Sequence, residues 1–286
     1  MTPLLIEPLM AWCGGIGEND GYSQGVQDML AIDGGGSASA AYARPTTPVG
    51  SGPDPKQVER EYQVPDDKVI EWSPSLFGAI PLGGLGGTRT ITQTEGKLLD
   101  NLTRDRGFVG LNDFKNIADE AFSISEKRVP PPGTIPVEAQ RQIDALPPEE
   151  RAAAERAYPK NDGHTDAFRH TYWNARLTSE FGENWTKQFT TAHEGLPGNG
   201  AVREAMDLYN NEVGRRIAVE NPDASPEELA DLVQKALDNG ELMVVDRSGH
   251  LAPSDEVARG QHGMADPTPA NGVIDTPKGD ASANGS

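Results

Sequence analysis

The spacing of apolar and polar residues predicts that the chain is mainly helical. The clearest pattern lies in residues 161–220, where apolar positions recur every three or four residues. It predicts three helices, at 165–180, 183–194 and 200–219, separated by Gly/Asn-rich turns. These helices carry most of the candidate chemistry of the chain.

Further helices are predicted on both sides of this region. Upstream, a helix over TEGKLLDNLTR with Thr94 as cap ends at Gly107, and a second covers LNDFKNIADEAFSIS. Two short helices follow in PVEAQRQIDAL and PPEERAAAERAY, each opened by proline and acidic residues. Downstream, SPEELADLVQKALDNG predicts a helix capped by Ser225, and ELMVVDRSGHLA predicts a small hairpin.

The amino-acid composition indicates that only part of the chain forms a compact domain. The 286 residues include 32 Gly and 23 Pro, and only 36% are hydrophobic, which indicates sizeable irregular segments. We predict a flexible Gly/Pro-rich N-terminal region at 1–60 and a disordered tail at 263–286. Between them, residues 61–262 are predicted to form a compact multi-helix domain, mainly α, with a small C-terminal β-hairpin.

The charge excludes some functions. The 44 acidic residues exceed the 25 basic ones and give a net charge of −19, which repels nucleic-acid phosphates and anionic membranes. The lone Cys13 excludes an internal disulfide and a cysteine-based zinc site. The N-terminal apolar run lacks a basic region before it and contains Glu7, so we predict no Sec signal peptide. We expect synthesis in the cytoplasm and, for any action outside the cell, a dedicated secretion machine.

The first of the three helices contains a candidate catalytic pair. Asp166, His170 and Asn174 are spaced at i, i+4 and i+8, and Trp173 lies beside them. A carboxylate one turn before an imidazole holds its tautomer and raises its basicity, which suits acid–base work or metal binding. The alternative is an ordinary i, i+4 ion pair beside an indole that is half in the core.

The second helix places His193 and Glu194 at its C-terminal end. Partial negative charge at a helix C-terminus raises the pKa of a carboxyl group, and a raised pKa suits a general acid. The alternative is an ordinary solvated glutamate.

The third helix carries polar residues in mid-helix, where they are poor helix formers. Asp207, Asn210, Asn211 and Gly214 lie on one flank. Either Gly214 keeps a cleft open beside an Asp/Asn patch, or the flank is merely polar and Gly214 marks a close contact between helices.

Together the three helices predict one pocket. Its candidate groups are Asp166, His170, His193, Glu194, Asp207, Asn210 and Asn211, with positive charge from Arg169 and Arg215. Zinc held by His170, His193, Glu194 and Asp207 is an alternative for which no diagnostic spacing exists. His164 is predicted to lie on the rim, and His250 and His262 to face solvent.

These motifs resemble a known family. NDGHTDAFRHTYWNARLTSEFG, FTTAHEGLPGN and AMDLYNNEVGRRIA are similar to a domain at the C-termini of bacterial polymorphic toxins, including Rhs-type and type VI secretion effectors, and the resemblance covers about residues 87–262. It implies a secreted antibacterial effector, a hydrolase delivered into the target-cell periplasm. The implied partners are a cognate immunity protein and a secretion-system carrier or chaperone. The resemblance assigns as functional Asp166, Arg169, His170, His193, Glu194, Asp207, Asn210 and Asn211.

A shorter likeness favours a glycosidase. TAHEG is similar to the catalytic helix end of lysozyme-like glycosidases, in which Glu194 would be the general acid and Asp207 or Asp166 the second carboxylate. We therefore expect a hydrolase of peptidoglycan glycan strands, ahead of a metal-dependent phosphodiesterase (phospholipase or nuclease) and of a non-enzymatic partner-binding domain. The expected substrate-binding residues are Arg169, Trp173, Asn174, Asn210, Asn211 and Arg215.

Overall fold

The structure is a computed structural model that describes residues 53–76, 80–81, 87–266 and 268. The helices within these residues are α1 (Pro55–Glu61), α2 (Gln93–Arg128), α3 (Val137–Ala145), α4 (Pro148–Ala157), α5 (His164–Phe181), α6 (Glu183–Glu194), α7 (Ala201–Glu220) and α8 (Pro226–Asp238). The strands are β1 (Val69–Trp72), β2 (Ser75–Leu76), β3 (Ile80–Pro81), β4 (Arg89–Thr92), β5 (Met243–Val245) and β6 (Leu251–Pro253). The prediction of a mainly helical domain with a C-terminal β-hairpin is confirmed.

Helix α2 begins at a capping box and bends at a glycine. The Thr92 hydroxyl accepts a hydrogen bond from the backbone N–H of Glu95 at 3.1 Å, and the Glu95 carboxylate accepts one from the Thr92 N–H at 2.7 Å. Thr94, the predicted cap, therefore lies inside the helix. Gly107 has a φ of 64°, which a residue without a side chain adopts readily, and its backbone is not helical. The two predicted helices therefore meet at a kink there and together make up α2.

Helices α2, α5, α6 and α7 form the centre of the fold, and α5 packs most extensively on α7. A Cβ atom on Gly214 would lie 2.1 Å from the carbonyl oxygen of Thr171 and 2.9 Å from the Cβ of Asn174. The missing side chain thus lets the two backbones approach, and of the two interpretations of Gly214 the close helix contact is the one observed.

An aromatic cluster fills the space between α2, α5 and α6. The ring of Phe189 lies 4.9 Å from that of Phe114 and 5.1 Å from that of Trp185. Trp173 contacts Phe114 and Phe189 edge-on and is 1% exposed. Such pairs contribute about 0.5–1.5 kcal/mol each beyond the burial of their area, so this cluster holds α5 and α6 against α2.

The C-terminal helix and hairpin follow the local sequence signals. Ser225 and Glu228 form the predicted capping box of α8, and Gly240, with a φ of 73°, follows its end. In the hairpin, β5 pairs antiparallel with β6, and all three residues of β5 are buried.

An extended segment on the N-terminal side connects α1, which packs on α7, to the strand pair β1–β4. Residues 62–68, which we call the strap, connect α1 to β1, and β1 pairs antiparallel with β4. Helix α1 packs on α7, and the ring of Tyr62 lies 5.4 Å from that of Tyr209. The folded part therefore begins inside the segment 1–60, which was predicted to be flexible. Residues 1–52 lie outside the described residues.

The segment after the hairpin is packed rather than loose. His262 is 2% exposed, and its ring stacks on that of Tyr158 at 4.4 Å. The backbone N–H groups of Met264 and Ala265 donate to the side chains of Gln142 and Asp162. The start of the predicted disordered tail at 263 thus belongs to the fold, while residue 267 and residues 269–286 lie outside the described residues.

None of the helices in the described part of the chain has both the length and the apolar character that a membrane-spanning helix requires.

Candidate functional site

Three helices place polar side chains along one shared, buried interface. Residues four positions apart lie on the same face of a helix. Such faces of α5, α6 and α7 meet, and we call the resulting line of side chains the polar seam. Its members are Asp166, His170 and Asn174 on α5, Thr190 and Glu194 on α6, and Asp207, Asn211 and Arg215 on α7. Each is at most 6% exposed.

The acidic end of the seam brings three predicted residues together. The Nε2 atom of His170 lies 3.3 Å from Oδ1 of Asp166 and 3.6 Å from Oδ1 of Asp207. One ligand atom from each of the three lies within 4.8 Å of the others, and none of the three residues is more than 1% exposed. Two carboxylates and an imidazole in this arrangement could hold a metal ion.

Arg169 supplies positive charge at this end, as predicted. Its Nη2 donates to Oδ1 of Asp166 and lies 3.4 Å from Nε2 of His170. Because Arg169 is itself 2% exposed, this guanidinium balances part of the buried carboxylate charge.

Glu194 occupies the middle of the seam. Its Oε1 lies 4.0 Å from Nδ1 of His170 and accepts a hydrogen bond from Nδ2 of Asn211 at 3.2 Å. Glu194 and Asp207 therefore approach opposite nitrogens of one imidazole. The prediction that Glu194 is the last residue of its helix is confirmed.

The other end of the seam is basic. Oδ1 of Asn174 accepts from the Thr190 hydroxyl at 2.9 Å and from Nη1 of Arg215 at 3.2 Å. The amide of Asn174 donates to Asn211, which donates to Glu194. A continuous chain of hydrogen bonds through the amides of Asn174 and Asn211 thus connects Arg215 to Glu194.

His193 lies outside the group that could hold a metal. Its Nδ1 is 2.9 Å from Oε1 of Glu95, and its ring meets that of Trp173 edge-on. The ligand atoms that converge come from Asp166, His170 and Asp207. Of the four predicted zinc ligands, the converging group thus keeps His170 and Asp207, lacks His193 and Glu194, and adds Asp166.

Two predicted binding residues make contacts within the core of the fold. Asn210 points at β5, where its amide donates to the carbonyl oxygen of Met243 and accepts from the same residue's N–H, both at 2.9 Å. Trp173 belongs to the aromatic cluster described above.

The predicted exposures of two histidines are wrong. His164, expected on the rim, is 4% exposed, and its Nε2 lies 2.8 Å from the carbonyl oxygen of Ser254. His262, expected in solvent, is buried under Tyr158. Burial lowers the pKa of both imidazoles. His250 is exposed, as predicted.

Sequence reasoning missed several charged groups around the seam. Arg203 donates to both oxygens of Asp162, at 2.7 and 2.8 Å, and the backbone N–H of Asp162 donates to Asp166 at 2.7 Å. The Asp162 carboxylate, followed by the charges of Asp166 and Asp207, raises the pKa of Arg203. Glu95 was missed as well, although Thr92 and Glu95 show the spacing of a capping box.

The strap contacts the end of α6, next to Glu194, and the first turn of α7. Its Asp67 N–H donates to the carbonyl oxygen of Gly195, the residue after Glu194, at 2.8 Å. Its Val64 N–H donates to Glu204, which lies in the first turn of α7 and is 2% exposed. Burial raises the pKa of Glu204 to about 7, and the charges of Glu194 and Asp66 act in the same direction.

Replacing Glu204 by glutamine is expected to flatten the pH dependence of the free energy of unfolding. The folded carboxyl binds its proton more tightly than the unfolded one, so Glu204 contributes stability that is complete below its ordinary pKa of 4.5 and is lost as the pH rises through about 7. Urea unfolding across this interval measures the slope. The variant Glu256→Gln, at an exposed site, should keep the wild-type slope, and equal slopes for wild type and Glu204→Gln would contradict the assignment.

A comparison with known protein families matches residues 143–241 to a family described as "Domain of unknown function (DUF6973)". The matched segment contains α4 to α8 and every member of the polar seam, but neither the strap nor Glu95. Searches of the curated proteins and of the solved structures found no match to the chain. Over residues 143–241, the chain is therefore similar to that domain family.

Proposed function

We propose that the chain is a metal-dependent hydrolase that acts as a secreted antibacterial effector. The hydrolase is supported by one observation, the convergence of Asp166, His170 and Asp207 within 4.8 Å in the buried seam. The effector role is supported by the resemblance of the seam motifs to polymorphic toxin domains. A cognate immunity protein and a secretion carrier follow from the same resemblance, and the net charge of −19 fits a partner with a basic face.

The ligand set fits a catalytic metal better than a structural one. Two carboxylates and one imidazole suit zinc or manganese, and three protein ligands leave coordination positions open for substrate and water. Arg169 and the N–H of Asp162 both donate to Asp166, and such hydrogen bonds hold a ligand in position. When bound, the ion would polarise the scissile bond and lower the pKa of the attacking water.

Glu194 is the proposed acid–base group. Its carboxylate lies next to His170 and is held by the Asn211 amide, so it can take a proton from water and return it to the leaving group. Asp166 and Asp207 then hold charge rather than move protons.

Access to this centre requires movement, because the seam is buried. The strap lies beside Glu194 and is held there by backbone hydrogen bonds to Gly195 and to the side chain of Glu204. We infer that displacement of the strap admits the substrate.

A second candidate is the peptidoglycan glycosidase, which needs no metal. Arg169 already places a cation beside Asp166 and His170, and this observation favours it. Glu194 would then be the general acid and Asp207 the second carboxylate. The glycosidase stands second because a glycan strand needs an open cleft, whereas the described residues place both carboxylates in the interior.

Metal titration of the full chain tests the proposal. After removal of metal by chelation, the protein is expected to bind one equivalent of zinc or manganese. Binding at a hundredfold excess over the dissociation constant should add about 2.7 kcal/mol to the free energy of unfolding. Asp207→Asn should weaken binding by more than about 100-fold, because loss of a ligand exceeds the loss seen for its supporting groups.

The exposed Asp223 provides the control, and Asp223→Asn should bind metal like wild type. Equal affinity of wild type and Asp207→Asn would contradict the proposed ligand set. Hydrolysis that persists in EDTA would favour the glycosidase.

A further inference from the structure

The basic end of the polar seam holds a buried cation that forms no ion pair with any residue that the structure describes. Arg215 is 6% exposed, and its hydrogen bonds go to neutral oxygens, those of Asn174 and Thr190. Burial lowers the pKa of Arg215. The charges of Glu212 and Glu183, both exposed residues, act in the opposite direction without forming an ion pair with it. A guanidinium keeps its charge in proteins, and a buried charge without a counter-ion is costly.

Two buried hydroxyl groups extend the same end of the seam. Thr178 lies one turn after Asn174 on α5, and Thr186 lies one turn before Thr190 on α6. They are 7% and 0% exposed, and neither hydroxyl has a hydrogen-bond partner in the described part of the chain. More than about 90% of buried polar groups in proteins have a partner. Two such hydroxyls at the same end of the seam as a cation with no ion pair among the described residues indicate a ligand that accepts hydrogen bonds.

An oxyanion fits these donors. A phosphate group accepts several hydrogen bonds at once and pairs with the planar guanidinium of arginine. Arg215 follows Asp207 by two turns of α7, which at 1.5 Å per residue places the two ends of the seam about 12 Å apart along the helix axis. The basic end is thus too far from the acidic end to hold the reacting group itself.

We propose that Arg215, with Thr178 and Thr186, binds a phosphate group of the substrate at a distance from the bond that is hydrolysed. This inference rests on the proposed hydrolase and names its substrate class as a phosphate ester. It agrees with the acidic charge of the chain, because a small ester carries less negative charge than a nucleic acid.

Inorganic phosphate is the first probe, titrated calorimetrically into the full chain in EDTA at constant ionic strength. We expect a single site and at least a tenfold loss of affinity in Arg215→Gln. Arg216→Gln should bind like wild type, because Arg216 is the next residue, is exposed and pairs with Glu241. Asp207→Asn should also bind like wild type, which separates this site from the metal centre and keeps the two proposals independently testable.

A second variant, Thr186→Val, tests the same site in case Arg215→Gln does not fold. The Thr186 hydroxyl has no bond to lose, so its removal should leave stability unchanged while weakening phosphate binding severalfold. Absence of phosphate binding in wild type, equal binding by Arg215→Gln, or binding of acetate in preference to phosphate would overturn the proposal. Competition then identifies the source: displacement by a short-chain phosphatidic acid assigns a lipid headgroup and displacement by a nucleoside monophosphate a nucleotide, whereas displacement by neither contradicts a substrate site.

Discussion

Replacing Glu194 by glutamine is expected to lower the rate of hydrolysis by about 10²–10⁴-fold, the usual contribution of a general acid or base. Glutamine has the same shape and can still accept the hydrogen bond from Asn211, so the fold should be retained. What is lost is the ability to take up and return a proton beside His170. The same loss is expected in both candidate mechanisms, because Glu194 is the acid–base group in each.

The measurement combines toxicity with product release. The full chain is produced in a test bacterium, either retained in the cytoplasm or exported to the periplasm with an added signal sequence. Toxicity confined to the periplasm would place the target in the envelope. In parallel, purified protein is incubated with sacculi and with phospholipid vesicles, with and without EDTA.

Glu183→Gln is the matched control, since Glu183 is the exposed first residue of the same helix. It should be as toxic as wild type. EDTA-sensitive release from vesicles supports the metal-dependent hydrolase, and EDTA-resistant clearing of sacculi supports the glycosidase. Full toxicity of both Glu194→Gln and His170→Ala would contradict an enzymatic role and favour a partner-binding domain.

Replacing Gly214 by alanine is expected to destabilise the fold by about 3 kcal/mol or more, at the upper end of the cost of overpacking. The added Cβ would lie 2.1 Å from the backbone carbonyl oxygen of Thr171, which cannot rotate away. The better helix propensity of alanine offsets at most about 1 kcal/mol. Helices α5 and α7 must separate, and this separation also loosens the hydrogen bond between Asn174 and Asn211.

Urea unfolding measures this effect. Gly133 provides the control, because a Cβ there would have no atom within 4 Å and its φ is not in the left-handed region. Gly133→Ala should change the free energy of unfolding by less than about 0.5 kcal/mol, as for most surface substitutions. A Gly214→Ala protein as stable as wild type would show that α5 and α7 do not pack as described.

The helices were predictable wherever local signals determine them. The predicted spans 165–180 and 183–194 match α5 and α6 to within a residue. Capping boxes, turn glycines and the helical period act over a few residues, so they can be seen in one sequence. The same holds for the approach of Asp166 to His170, which lie one turn apart.

The assembly of the site was only partly predictable, because it depends on contacts between distant segments. Glu95 and His193 are 98 positions apart, and no spacing rule relates them. The approach of Asp207 to His170 depends on how closely α5 and α7 pack at Gly214. Periodicity could assign each of these residues to a face of its own helix. It could not predict which face of another helix packs against that face.

The wrong exposures of His164 and His262 have a similar cause. Both histidines stand beside glycine in polar, turn-like sequence, which is typical of solvated loops. Their burial comes from tertiary partners, Ser254 for one and Tyr158 for the other. Local composition therefore indicates a turn next to each histidine, but it does not indicate which distant residues bury the histidine side chain.

The strap also has a consequence for the order in which the protein folds during synthesis. The N–H of Val64 in the strap donates to Glu204, which is synthesised 140 residues later. The carboxylate of Asp162 likewise accepts from the N–H of Ala265, 103 residues further on. Contacts between such distant residues form late, because closing a long loop costs chain entropy before any contact is gained. We therefore expect these contacts, and with them the surroundings of the polar seam, to form only after residue 265 has been synthesised.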